Sequence, residues 1–219
     1  MRPAGGKGQA GATAPGGAAG HHAESTQRWR FLVPAVHYSC RVPRPTLPSG
    51  GGLRLLEPSD AEALARAYRQ NREQLEPWEP LRDDAFFTEE GQTERIAGML
   101  GGLAAGTDVP WVLTAGDGIA GTITLSGIVR GPFLNAHVGY WVDRRLQGRG
   151  LCSAALGEVL RYARDTLGLH RVQASVLPHN APSIAVLEKA AFTVIGLAPS
   201  YLCIAGDWQD HTLYQRLLY

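Results

Sequence analysis

Val138-Gly139-Tyr140-Trp141-Val142, then Arg145-Leu146-Gln147-Gly148-Arg149-Gly150-Leu151, then a helical pattern running to Leu167: this stretch decides the fold of the 219-residue chain. The first run is apolar and strand-like. The second is punctuated by glycine. The third sets Leu156, Val159, Leu160, Ala163 and Leu167 on one helical face, with Glu158 and Arg161 off it and Glu158 read as solvated surface and not as a catalytic base. A strand, a glycine loop and a helix in that order build an anion site. Loop N–H groups and the helix N-terminus converge on one point, and the helix dipole favours negative charge there. Glycine lets backbone approach a phosphate closely. A phosphorylated cofactor is the expected ligand.

The loop has neither the Gly-x-x-x-x-Gly-Lys-Ser/Thr of nucleotide triphosphate sites nor Gly-x-Gly-x-x-Gly, because Ser153 stands where a third glycine would fall. It reads Arg-x-x-Gly-x-Gly and resembles the pyrophosphate-binding loop of the GNAT acetyltransferases. A plain strand-to-helix turn fits the same six residues, so the weight comes from context. Leu169 to Leu177 alternates as a strand does, and Asn180-Ala-Pro-Ser183 opens a short helix that ends before Phe192. These resemble the family's next elements, although Ala191 stands where the family has Gly. A local adjustment of that helix cap is expected. Asn71 to Asp83, containing Pro77-Trp78-Glu79-Pro80, resembles the ribosomal-protein-alanine N-acetyltransferases of the RimJ type. So do Ser126 to Phe133 and Asp207-Trp208-Gln209-Asp210-His211.

The resemblance implies an α/β GNAT fold over residues 52–219: a mixed, mostly antiparallel β-sheet, splayed at the cofactor site and flanked by helices. It implies acetyl-CoA as co-substrate, its pantetheine arm lying between Tyr140-Trp141-Val142 and the strand at Val172 to Leu177. The diphosphate would sit on N–H groups of Gly148, Arg149, Gly150 and Leu151, with charge from Arg145 or Arg149. Asn180 would hold the pantetheine arm, and Ser183 would face the departing thiolate. Both also fit a helix cap. Glu79 is the candidate general base or amine-binding carboxylate, and Trp78 fits a core position as well as a substrate wall. Tyr201, Asp210 and His211 are rivals or wall residues on the last hairpin. A backbone N–H at Tyr140 to Val142 is the candidate donor to the thioester carbonyl.

Composition narrows the partners. A net charge of +1 gives no signal for nucleic acid, and no apolar run approaches the roughly 18 residues that span a membrane. Cys40, Cys152 and Cys203 are odd in number and far apart, which points to a reducing, cytoplasmic setting without disulfides. Cys152 reads as a small buried residue and not as an acyl carrier. No metal-ligand spacing occurs. Residues 1 to 50, rich in Gly, Ala and Pro, are expected to be a disordered N-terminal extension. The aromatic residues between 29 and 48 leave open whether that part packs on the domain.

The remaining pattern gives a strand at Leu53 to Glu57 and a capping box at Ser59-Asp-Ala-Glu62, opening a helix to about Leu75. A second helix starts at Thr88. A hairpin turns at Gly116-Asp117-Gly118, and a last hairpin turns near Gly206-Asp207. The order is βααβββαβαββ. The expected reaction is acetyl transfer by direct attack of an amine on the thioester. The N-terminal alanine of a ribosomal protein is the leading acceptor. A small amine (an antibiotic, polyamine or amino acid) stays open, as does a non-catalytic cofactor sensor or ribosome-assembly module.

Overall fold

The computed structural model describes residues 45–47 and 50–219. Among them, eight strands form one sheet in the spatial order β1-β2-β3-β4-β5-β6-β8-β7. In the chain these are β1 (Thr46–Leu47), β2 (Gly51–Leu55), β3 (Val109–Ala115), β4 (Gly118–Val129), β5 (Asn135–Val142), β6 (Arg171–Val176), β7 (Thr193–Ile204) and β8 (Asp207–Leu217). Every neighbouring pair is antiparallel except β5 and β6. The flanking helices are α1 (Ala61–Gln70), α2 (Arg72–Leu75), α3 (Glu89–Ala105), α4 (Leu151–Asp165) and α5 (Ala181–Lys189).

Alternation along the strands builds two cores. Trp111, Leu113, Ile123, Leu125, Ala136 and Val138 pack against Leu156, Val159, Tyr162 and Ala163 of α4. Val112, Ile119 and Trp141 point the other way and meet Leu64, Tyr68, Leu75 and Ile96 from the α1–α3 layer. The sheet is thus covered on both faces by helices whose apolar stripes match it. The side chains of Tyr140 and Trp141 go to opposite faces, as successive residues of a strand must.

The two hairpins turn where the sequence places them. Gly116-Asp117 joins β3 to β4, with Gly116 at φ 55. Ala205-Gly206 joins β7 to β8 at φ 52 and 92, the positive pair that a two-residue turn needs to match strand twist. Thr88 caps α3 by accepting from the Gly91 N–H at 3.1 Å, and left-handed Gly106 ends it.

Three expectations are corrected. Ser59 is not a helix cap. Pro58 starts a 3-10 turn one residue earlier, and the box is formed by Glu57 with Asp60, whose carboxylate also takes the Arg54 guanidinium at 2.6 and 2.8 Å. Glu62 pairs instead with Arg66 one helical turn on. The first helix does not run unbroken to Leu75: Asn71, at φ −112 and ψ 11, interrupts it. Glu158 is partly buried and bridges to Arg161 on its own helix.

Ala191 holds the left-handed position at φ 55 where Gly would be free of strain, so the α5 cap keeps its shape despite the substitution. Its N–H and that of Phe192 still reach Glu188 and Leu187. The conformation costs about 1 kcal/mol for a residue with a Cβ. The expected extension over residues 1–50 lies almost wholly outside the described residues. Within it, Thr46 and Leu47 pair with Gly52 and Gly51. No helix among the described residues is long and apolar enough to cross a membrane.

Candidate active site

β5 and β6 pair over three residues only, Asn135 to His137 against Arg171 to Gln173. β5 continues to Val142 and β6 to Val176, so their upper halves part. Which backbone groups face the gap follows from strand alternation. Asp143 donates its N–H to Ala120 at 2.7 Å on the β4 side. Trp141 and Gly139 therefore face β4 too, while the Val138 N–H is taken by the last step of the β6 pairing, and Tyr140 and Val142 turn their backbone groups toward the gap. The Val142 carbonyl confirms the sense, accepting from Gln74 Nε2 at 3.3 Å. The exposed edge is what an extended amide chain needs in order to add as a strand. Gln74 Oε1 lies beside it, buried and without a partner among the described residues, an acceptor suited to an incoming amide N–H.

At the top of the gap the glycine loop delivers the anion site. Gly148 and Gly150 adopt φ 72 and 78. Gly150 is the α4 cap and has no side chain to satisfy the helix N-terminus. Among the described residues, the first N–H of this turn with an acceptor is that of Ala154, bonded to Gly150 at 3.0 Å. The preceding N–H groups, together with the helix dipole, are free for a diphosphate. A cavity of about 710 Å³ joins this loop to the gap, lined by Tyr140, Trp141, Val142, Gly148, Leu151, Cys152 and Asn180 among others. Burial pushes the Cys152 thiol up to about 12, so it is a protonated wall residue.

Arg145 is not brought to this cavity. Its guanidinium is paired with Asp143 at 2.9 and 3.1 Å and reaches Gln70, facing a different depression beside α1. Asp143 is held down to about 2, first by that guanidinium, and its carboxylate also accepts from the Arg145 N–H and Asn71. Asn71 in turn accepts from the Arg144 N–H at 3.0 Å. The break between α1 and α2 is thus tied to the base of the loop. Arg149 stands on the far side of α4's first turn, in a basic groove with Arg161, Arg164, Lys189 and Arg216.

Where the strands part, Tyr140 and Ser183 meet. Tyr140 Oη lies 3.2 Å from Ser183 Oγ and 3.3 Å from the Ser183 carbonyl. Burial raises the phenol well above its usual range, so it remains a proton donor. Asn180 is the α5 cap: its side-chain oxygen accepts from the Ser183 N–H at 3.2 Å. The cap therefore uses the serine's backbone and leaves its hydroxyl for other work. Asn180 and Ser183 both line the cavity at the glycine loop and a second one of about 500 Å³.

That second cavity opens between β6, β8 and the α1–α3 layer. Trp78, Glu79, Arg82, Arg95, Tyr68 and buried His211 line it. Trp78 sits on both cavities, its ring 5.4 Å from that of His179, so it is a wall between them and not a core residue. The Glu79 carboxylate is raised above its usual range because burial outweighs Arg82, 3.7 Å away, and Arg95. Its backbone carbonyl holds the Ala205 N–H of the last hairpin at 3.0 Å. His211 Nδ1 bonds the Gln209 carbonyl at 2.9 Å.

Tyr201 and Asp210 are not part of this lining. Tyr201 is exposed near the His211 ring, and Asp210 accepts from the Ser200 N–H at 2.8 Å to close a bulge in β7. Asn71, Gln74, Tyr68, Arg82 and Arg95 carry parts of the site that spacing did not single out. The first two and Arg82 lie within the Asn71–Asp83 segment, which was the available signal. Tyr68 and Arg95 read only as helix residues.

The matching family model is the acetyltransferase (GNAT) domain, over residues 52–193. The [ribosomal protein uS5]-alanine N-acetyltransferase of Escherichia coli is 37% identical over 164 residues, 74% of this chain and 84% of that one. The ribosomal-protein-S5-alanine acetyltransferase structure from Vibrio fischeri superposes with a TM-score of 0.73 at 35% identity, covering 76% of this chain and 92% of the other. Mycobacterium smegmatis RimJ, solved in complex with CoA-disulfide, gives 0.76 at 32% identity over 80% and 86%. With that family model matching more than half of the chain, and a relative 37% identical over 74% of it, the chain belongs to the GNAT acetyltransferase family.

Proposed function

We propose that this chain transfers the acetyl group of acetyl-CoA to the N-terminal alanine of a ribosomal protein. The observation that carries the reading is the meeting of a strand-edge cavity with a second, mixed-charge cavity at one pair of hydroxyls, Tyr140 and Ser183. Acetyl-CoA, when bound, supplies the acetyl carbon as a thioester. The edge of β5 and the N–H groups from Gly148 to Leu151 orient it, and a gap-facing N–H of Tyr140 or Val142 stabilises the carbonyl oxygen as the amine attacks. The amine nitrogen forms the new C–N bond as the C–S bond breaks. Glu79, or water beside it, takes the amine proton, and Ser183 with Tyr140 hydrogen-bonds the departing sulfur.

The lining favours a peptide over a polycation. Arg82 and Arg95 stand with Glu79 and Asp108 around the second cavity, which is not the negatively charged pocket that an aminoglycoside-like antibiotic or a polyamine needs. The likeness to the uS5-alanine enzyme supports the same acceptor class. The reading places the chain in the cytoplasm, with ribosomal protein as partner. Mass spectrometry of a peptide with a free N-terminal alanine, incubated with acetyl-CoA and enzyme, tests it. One acetyl group on the α-amine is the expected result. Acetylation of small amines alone would transfer the assignment to those, and tight cofactor binding without turnover would leave a sensor.

A further inference from the structure

Tyr68 carries a hydroxyl proton that no other described residue accepts. The residue lies on α1, is 3% exposed, and lines the second cavity. Trp141 donates its indole N–H to Tyr68 Oη at 3.0 Å. An indole nitrogen is a donor only, so the tyrosine oxygen is the acceptor there and its own proton must go elsewhere. Among the described residues it reaches no acceptor. A buried hydroxyl proton without an acceptor is a cost that folding rarely leaves in place.

Its surroundings say what the missing acceptor is. Glu79, Arg82 and Arg95 are near enough for their charges to act on the phenol. Arg95 lies over the Tyr68 and Phe86 rings, and Arg82 over Phe86. The same wall therefore offers a carboxylate that suits an amine and, beside it, an O–H and two guanidinium groups that suit an oxygen. An α-amino acyl group presents that pair of atoms: an amine nitrogen and, across one carbon, a carbonyl oxygen.

We infer that Tyr68, fixed by Trp141, donates to the carbonyl of the acceptor's first residue while Glu79 faces its amine, so that the second cavity selects α-amino acyl acceptors over simple amines. This deepens the proposed function and rests on it. Trp141 thereby serves both cavities, one through its backbone strand and one through its indole.

The test uses the full chain with two acceptors. One is a short peptide beginning with alanine. The other is the same peptide with its first peptide bond replaced by a trans-alkene, which keeps the amine and the shape and removes the carbonyl. Wild-type enzyme is expected to lose about ten-fold in kcat/KM on the alkene. Tyr68→Phe is expected to lose about as much on the natural peptide and less than about two-fold on the alkene, the mark of coupled partners in a double cycle. Equal losses on both acceptors in Tyr68→Phe would overturn the inference and make Tyr68 structural or a relay to Glu79. So would a wild type that uses the alkene as well as the peptide, a comparison that needs no variant. Turnover of neither peptide, with small amines accepted, would overturn the acceptor assignment itself and this inference with it.

Discussion

Replacing Ser183 by alanine separates chemistry from architecture at the junction of the two cavities. The α5 cap runs from the Ser183 backbone N–H to Asn180 Oδ1, and alanine keeps that N–H. What is lost is one hydrogen bond, to Tyr140 Oη at 3.2 Å, worth about 0.5–1.5 kcal/mol when partly buried. Alanine's better helix propensity returns a few tenths, roughly 0.5 kcal/mol at most. The net change is under about 1 kcal/mol, and Tm should fall by no more than about 4 °C for a domain of this size. The rate should fall much further, because a donor to the departing sulfur is worth about ten- to a hundred-fold in kcat. Asn180→Ala is the matched control. It removes the cap oxygen, costs about 1 kcal/mol or more, and leaves the serine hydroxyl in place. Stopped-flow detection of released thiol, alongside differential scanning calorimetry, measures both quantities. A Ser183→Ala protein less stable than Asn180→Ala, with kcat per folded molecule unchanged, would refute the assignment.

Other expectations follow from the same geometry. Glu79 is raised by burial, so the acid limb of kcat/KM should lie above the ordinary carboxylate range, activity falling as pH drops through it; Glu79→Gln should flatten that limb, and an unchanged profile would remove Glu79 as base. Asp143 is depressed to about 2, so its contribution is present above its unfolded value near 4 and lost as pH falls from there toward 2. Urea titration of Asp143→Asn should therefore show a loss of up to about 2 kcal/mol at pH 7 and less than about half of that at pH 2.5, and equal losses at both would contradict it. Cys152, at about 12, should resist iodoacetamide at pH 8 in the folded protein, and rapid alkylation would show the burial to be wrong. Gly121→Ala would drive a Cβ to 2.2 Å from the Trp141 carbonyl oxygen, forcing β4 off β5. We expect a loss of more than about 3 kcal/mol by chemical denaturation, and a mild effect would mean the pairing yields easily.

Much of this was legible because local rules governed it. The α4 face, the Gly116 and Gly206 turns, the Thr88 cap and the glycine loop depend on near neighbours and on period, and the chain obeys them. What was not legible depends on partners far away in sequence. Arg145 reads as a phosphate ligand until Asp143 and Gln70 are seen to claim it. Asn71 meets Asp143 across 72 positions, and no spacing rule predicts that. Ser59 lost the cap to Glu57 because Pro58 preset the turn and Arg54 anchored Asp60. Asn180 and Ser183 fitted a cap equally well on paper, and only geometry divides the roles between a side-chain oxygen and a backbone N–H. Tyr201 and Asp210 share their hairpin with His211, yet strand alternation and the bulge turn the three different ways.

The three-residue pairing of β5 with β6 has a mechanical consequence. It divides the sheet into two ribbons, one of five strands and one of three, joined by a short seam. At the seam the ribbons are stitched; above it, the backbone of β5 at Tyr140 and Val142 turns toward a gap that β6 does not close. A ligand lying along that edge acts as a suture, and its binding energy becomes folding energy of the whole protein. At a hundred times its Kd it would add about 2.7 kcal/mol, or several degrees in Tm. Amide exchange at Tyr140 and Val142 should slow with it, ahead of any chemistry, so the opening and closing of the seam can be followed with cofactor alone.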